Sequence, residues 1–153
     1  MDRPSWNQYF MGLAHYCSLR SHDHETKVGC VIVDDNNHVV SLGYNGFCSH
    51  IDDAELPKTR PEKYPFMVHA EQNAISNLVI KSHLSLSAYI THRPCAVCSK
   101  LLWQNNVRKW FVEEDSSVAS LCGHDKTILE LLICNGLEYT NIKTNFDIFK
   151  SIH

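Results

Sequence analysis

A histidine, two cysteines and one carboxylate carry the spacing of a metal-dependent hydrolytic site. His69-Ala70-Glu71 is followed, one helix and one strand later, by Pro94-Cys95-Ala96-Val97-Cys98. Two cysteines three apart near a helix start occupy neighbouring positions on one face, so both sulfurs can reach one ion at about 2.3 Å. Pro94 suits the position before the helix proper, where a missing N–H costs nothing. The positive end of that helix favours the thiolates that a metal needs. His69 offers a third ligand from another helix start. Three protein ligands leave the fourth tetrahedral position to water, the arrangement of a catalytic zinc. Glu71, two residues beyond the ligand, would move protons.

Other readings of these residues stay open. A Cys-x-x-Cys pair in isolation is shared by metal sites, redox pairs and chance. A redox pair has no need of the upstream His-x-Glu. A closed structural zinc would need a fourth protein donor, and His92 is available in the sequence.

The elements that must position these side chains follow from periodicity. Trp6, Phe10, Leu13 and Cys17 recur at helical steps over residues 6–19, with Ser5 as the N-cap. Val28–Val33 and Val39–Leu42 read as strands joined by a turn at Asp34-Asp35-Asn36-Asn37. Residues 43–68 carry Gly, Pro, Asn and charges without a sustained period, and a loop of that length is usually functional. A helix over His69–Ile80, a strand at Tyr89–Thr91, a helix over Cys95–Asn105 and a strand at Trp110–Val112 follow. A helix over Lys126–Cys134, stopped by Asn135-Gly136, and a strand over Leu137–Ile142 complete the order. Alternating strands and helices predict a sheet covered on both faces.

Length and composition bound the possibilities. The 153 residues suit one domain over 1–153, and 44% hydrophobic with 20% charged residues is the balance of a folded soluble chain. Fourteen Lys and Arg against seventeen Asp and Glu give a net charge of -3, with no basic stripe for nucleic-acid backbone. No secretory signal or membrane-length apolar run is visible, so a cytoplasmic location without membrane association is expected. Seven cysteines cannot all pair, which agrees with a reducing compartment. Cys17, Cys30, Cys48, Cys122 and Cys134, outside the motif, are expected to be core or buried thiols.

The paired His-x-Glu and Pro-Cys-x-x-Cys motifs match the signature of zinc deaminases. Around them, Arg20-Ser21-His22-Asp23, Val28-Gly29, Gly43-Tyr44-Asn45-Gly46, Leu56-Pro57 and Lys63-Tyr64-Pro65 resemble the deoxycytidylate deaminase family over roughly residues 5–140. The resemblance implies a three-layer α/β/α sandwich with a mixed five-stranded sheet of the cytidine deaminase type, assembled as a homohexamer. It implies Zn2+ held by His69, Cys95 and Cys98, Glu71 as the catalytic residue, and hydrolysis of dCMP to dUMP and ammonia, feeding dTMP synthesis. It further implies activation by dCTP with Mg2+ and inhibition by dTTP. The nucleotide contacts it implies are Asn45 at the sugar, Ser21, His22 and Lys27 at the 5′-phosphate, and Tyr44, Gly46 and Ala70 beside them.

This chain departs from the family pattern in two places. His22 stands where many relatives have Lys, and residues 113–117 lack a Tyr that relatives place near the substrate. The alternatives that remain are a dual dCMP/dCTP deaminase, an RNA-base deaminase of the tRNA adenosine type, and a non-catalytic zinc or nucleotide-binding module.

Overall fold

In the computed structural model, residues 2–79, 85–114 and 123–151 are described. Helix α1 (Trp6–Ser18) begins where Ser5, in an extended conformation, accepts a hydrogen bond from the Gln8 amide at 3.2 Å. Strand β1 (Gly29–Val33) is buried along its whole length. It turns into β2 (Val39–Tyr44) through Asn37, in the left-handed region at φ 61°, with the Asp34 carboxylate accepting from the amides of Asn36 and His38.

The stretch expected to be a loop is closed by two short paired strands, β3 (Gly46–Phe47) and β4 (Met67–Val68), with a 3-10 turn at Tyr64–Phe66. Helix α2 (Ala70–Ser76), strand β5 (Leu86–Ile90), helix α3 (Ala96–Gln104) and strand β6 (Val107–Glu113) follow. Helix α4 (Gly123–Cys134), strand β7 (Glu138–Ile142) and a 3-10 turn at Phe146–Ser151 end the order.

The main sheet runs β2-β1-β5-β6-β7. Strand β1 is antiparallel to both neighbours, whereas β5, β6 and β7 are parallel, so the sheet is mixed as expected. Because successive side chains point to opposite faces, each central strand feeds two core layers. Cys30, Ile32, Ala88, Ile90, Trp110 and Val112 pack with Ala74 of α2, Leu102 of α3 and Leu129 of α4. Val31, Val33 and Tyr89 pack with Phe10, Met11 and Ala14 of α1. Helix, sheet and helix therefore form three layers.

The expected element boundaries differ from those observed. The strand read at Tyr89–Thr91 begins at Leu86, and the one read at Trp110–Val112 covers Val107–Glu113, each extended by pairing with its neighbour. Helix α2 ends at Ser76, where Asn77 caps it, and Ile80 lies outside the described residues. The closing 3-10 turn carries no periodic signal. Its Phe149 packs so closely on Gly12 of α1 that a Cβ there would sit 2.7 Å from the ring.

Of the five cysteines outside the motif, Cys17 and Cys30 are buried and Cys48 and Cys134 are exposed, correcting the expectation of buried thiols for these two. Cys48 lies just beyond β3 and Cys134 at the end of α4, where no second layer covers them. Cys122 lies outside the described residues. Among the described residues no helix is long and apolar enough to cross a membrane.

Helix α2 is tied to β2 at short range. Asn73 Nδ2 donates to the Tyr44 carbonyl at 2.6 Å, Asn77 Nδ2 to the Leu42 carbonyl at 3.1 Å, and Ser41 Oγ to the Ala74 carbonyl at 2.5 Å. Gly43 makes this approach possible, since a Cβ there would lie 2.4 Å from the Ala74 amide nitrogen and 2.5 Å from the Ala70 carbonyl oxygen. Both neighbours are backbone atoms, so they cannot turn aside. Gly43→Ala is expected to cost about 1–3 kcal/mol, read as a fall of several degrees in Tm with reduced metal content, because α2 also carries the site.

Candidate metal centre and its cavity

His69 is the N-cap of α2, in an extended conformation at φ -75° and ψ 156°. Its amide donates to the Gln72 carboxamide at 2.7 Å, the return bond of a capping box. Cys95 is the N-cap of α3, and the Cys98 amide donates to its sulfur at 3.5 Å. Asp125 of α4 supports the same turn by accepting from the Ala96 amide at 2.7 Å.

The two helix entries face each other. His69 Nδ1 lies 3.5 Å from Cys95 Sγ and 3.3 Å from Cys98 Sγ, and the three donors fall within 4.8 Å of one another. Tetrahedral zinc, with Zn–N about 2.0 Å and Zn–S about 2.3 Å, places such donors about 3.5 Å apart. One nitrogen and two sulfurs form a set suited to zinc and not to Mg2+, which takes oxygen ligands. His92 lines the same cavity yet lies outside this donor cluster, so the described residues present three donors and not four.

Glu71, at the second position of α2, is 4% exposed. Its carboxyl is raised to about 7, first by burial, with the His69 charge opposing the shift. Cys95 is lowered to about 3, first by its hydrogen bond with Cys98 and then by the one with His69. Cys98 is pushed up, chiefly by that same bond and by burial. His69 is raised, chiefly by its hydrogen bond with Cys95. The two thiols and the imidazole are hydrogen-bonded to one another, and any protons the thiols hold would be released on taking up a metal.

A cavity of about 300 Å³ opens beside the cluster. His69, Ala70, Glu71 and Cys95 reach it from the two helix entries, and Thr26, Val28 and Asn45 from the β1 side. Asp23, Arg60, Lys63, Arg93 and Asp125 supply its charges.

Comparison with known proteins gives a match, over residues 4–114, to the cytidine and deoxycytidylate deaminase zinc-binding region. The chain belongs to this family. A Caenorhabditis elegans protein named as a probable deoxycytidylate deaminase is 42% identical over 118 residues, covering 74% of this chain and 60% of that protein. The Homo sapiens deoxycytidylate deaminase is 36% identical over 114 residues, covering 71% of this chain and 64% of the human one. This chain therefore spans about three-fifths of the length of these two curated relatives. Among solved structures, the dCMP deaminase of cyanophage S-TIM5 in complex with dCMP and dUMP is 28% identical, with a TM-score of 0.69 over 93% of this chain and all of that one. The fold is that of this deaminase family.

Of the residues that the resemblance implies as nucleotide contacts, the structure gathers some at the cavity and not others. Asn45 is buried at the cavity, where its Oδ1 accepts from the Val28 amide at 2.8 Å and its Nδ2 donates to the Thr26 carbonyl at 2.9 Å. Ala70 also lines the cavity. Ser21 is buried away from it, its hydroxyl accepting from the Asp23 amide and its carbonyl from the Lys27 ammonium. His22 accepts from the Phe47 amide at 3.1 Å, and its ring lies tilted against the Phe47 ring. Tyr44 lies under Arg20, and Gly46 faces His22. Ser21, His22, Lys27, Tyr44 and Gly46 do not line the cavity.

Sequence reading gave no role to the charged residues that do line it. Lys63 and Asp23, 3% and 4% exposed, form a buried ion pair with both carboxylate oxygens at 2.8 and 2.9 Å. Both stand inside the family motifs, and their charges in otherwise turn-rich segments were the available signal. Burial opposes ionisation of Asp23, but Lys63 and the amides of Glu25 and Thr26 more than offset it, so its pKa is lowered.

Two outcomes are expected. His69→Ala, Cys95→Ser and Cys98→Ser should each reduce bound zinc from about one equivalent per chain toward zero, measured by elemental analysis of purified protein. Lys63→Met strands a buried carboxylate and should cost about 3–5 kcal/mol at neutral pH. A carboxyl lowered by folding stabilises above its unfolded value of about 3.9, and the contribution is lost as pH falls through the folded value. The parent should weaken below about pH 4, and the deficit of Lys63→Met, by urea denaturation, should narrow there.

Proposed function

We propose that this protein is a zinc-dependent deaminase that hydrolyses dCMP to dUMP and ammonia. The observation that carries the reading is the buried Glu71 carboxyl beside the cluster of His69, Cys95 and Cys98 donors, at a cavity at the small end of ligand-sized volumes. The relatives named as deoxycytidylate deaminases support the substrate class, as does the cyanophage enzyme holding dCMP and dUMP.

His69, Cys95 and Cys98 would hold Zn2+. A zinc ion there supplies Lewis acidity, which makes water available as a nucleophile near neutral pH. Glu71 is the group of this chain that handles protons. Buried beside the donors, with its pKa raised by that burial, it can take a proton from the attacking water and pass it to N3 of the pyrimidine as C4 is attacked, and then carry the proton of the resulting C4 hydroxyl to the departing amine. Water adds at C4, the C4–N4 bond breaks, and the products are dUMP and ammonia. Asn45 is held by two backbone groups of the 26–28 segment at the cavity wall, which fixes its amide for contact with the sugar.

A non-catalytic zinc module would have no use for a buried acid at the donors, and Glu71 disfavours that reading. An RNA-base deaminase is disfavoured by the net charge of -3. Control by dCTP with Mg2+ and by dTTP, a hexameric assembly and a cytoplasmic role in dTMP supply are further parts of the proposal, and a dual dCMP/dCTP deaminase is its alternative. Membership of the deaminase family supports them, the effector site being placed near Gly43–Gly46; substrate and control are tested by assaying dCMP and dCTP with and without the effectors, and assembly by light scattering.

Glu71→Gln should keep zinc and fold while ammonia release from dCMP falls about 10²–10⁴-fold. Parental turnover in that variant would defeat the mechanism.

A further inference from the structure

Three cations line the cavity, and two of them are already engaged. Lys63 holds both oxygens of Asp23. Arg60 pairs with Glu25 at 3.2 Å, and its own amide donates to the same carboxylate at 3.0 Å. Its guanidinium also donates to the Thr26 hydroxyl. These bonds brace one loop against another and leave little of either charge for a ligand.

Arg93 differs from both. It is half-buried and lines the cavity, and among the described residues it makes no hydrogen bond or ion pair. The carboxylates of the cavity are spoken for: Asp23 by Lys63, Asp125 by the Ala96 amide, and Glu71 at the metal donors. Arg93 also stands two residues before Cys95, across Pro94. Two residues of chain span at most about 7 Å, and the long side chain adds to that reach. Its charge also acts on the Tyr139 hydroxyl of β7, and this reach is enough for the guanidinium to turn toward the end of the cavity away from C4 of a pyrimidine held at the metal.

Resting on the dCMP reading above, we propose that Arg93 binds the 5′-phosphate of the substrate and sets the preference for a nucleotide over a nucleoside. A guanidinium offers two parallel N–H donors to phosphate oxygens, and its charge is not neutralised in advance by a carboxylate among the described residues. Ser21, His22 and Lys27, the phosphate contacts suggested by family resemblance, are bonded elsewhere and do not line the cavity. Pro94 restricts the backbone of Arg93 to extended conformations, which limits the freedom lost on binding.

The test uses zinc-loaded protein and two pairs of ligands. For Arg93→Gln, the ratio of kcat/KM for dCMP to that for deoxycytidine should fall about 10- to 100-fold, the range expected for losing a charge-assisted hydrogen bond. The change should lie in KM. By calorimetry, affinity for dUMP relative to deoxyuridine should fall by a similar factor, a readout that does not depend on turnover. Arg93→Lys should recover part of both, since it keeps the charge without the fork. A variant that loses dCMP and deoxycytidine activity by the same factor, or that keeps the parental dUMP affinity, overturns the assignment. So does Arg60→Gln if it alone produces the phosphate-specific loss. If the parent deaminates neither substrate, the proposed function fails, while the dUMP and deoxyuridine affinities still decide the role of Arg93.

Discussion

His69 and Cys95 hold the same kind of position on two different helices, each being the extended residue just before a first turn. A side chain there leaves the helix axis at its amide end, where the partial positive charge gathers. The two can meet only if α2 and α3 begin together on one face of the sheet. Strands β5 and β6 are parallel, which requires a crossover, and α3 is that crossover. Helix α2 is brought in by small residues: Gly43 on β2 and Ala70 and Ala74 on the helix leave no side chain to hold the backbones apart. The metal-binding geometry is thus a consequence of close packing between a strand and a helix.

The same convergence sets the protonation states. A carboxylate in the first turn of a helix is ordinarily favoured as the anion. Glu71 is buried there, and burial prevails over the amides and over His69. Cys95, hydrogen-bonded by Cys98 and His69, moves the other way, toward the anion. One small volume therefore contains a group that resists charge and a group that keeps it. Cys98 is shifted upward like Glu71, so each shift follows from the burial and partners of the individual side chain and not from its place in the cluster.

The half of the site built from local chemistry was legible in the residues. Cys95 and Cys98 are three apart, His69 and Glu71 two apart, and Ser5 sits before its helix, so each relation is decided within one turn. The alternating core was legible for the same reason, since Val31 and Ile32 must face opposite layers. The relations that were not legible join distant segments. Lys63 and Asp23 are forty residues apart, and Arg60 and Glu25 thirty-five. Nothing in either segment names its partner. The pairing of β3 with β4 was hidden because two residues are too few to show a period. Exposed Cys48 and Cys134 were misread because a cysteine's type says more about average burial than about which layer will cover it.

Those long-range pairs also bear on why the cavity wall is charged at all. A buried ion pair is seldom more stabilising than well-packed apolar side chains of the same volume. Its advantage is directional. Both Asp23 oxygens meet one ammonium, the same carboxylate receives the Glu25 amide at 2.8 Å and the Thr26 amide at 3.1 Å, and Glu25 in turn holds the Arg60 backbone. An apolar contact between the 23–27 and 58–64 segments could slide by a residue without much cost, and a bidentate pair cannot. The segment between β3 and β4 has few backbone partners of its own, so the ion pairs fix its register against the rest of the cavity. A wall braced in this way spends its charges on the protein, and recognition of a charged ligand falls to side chains that the bracing leaves over.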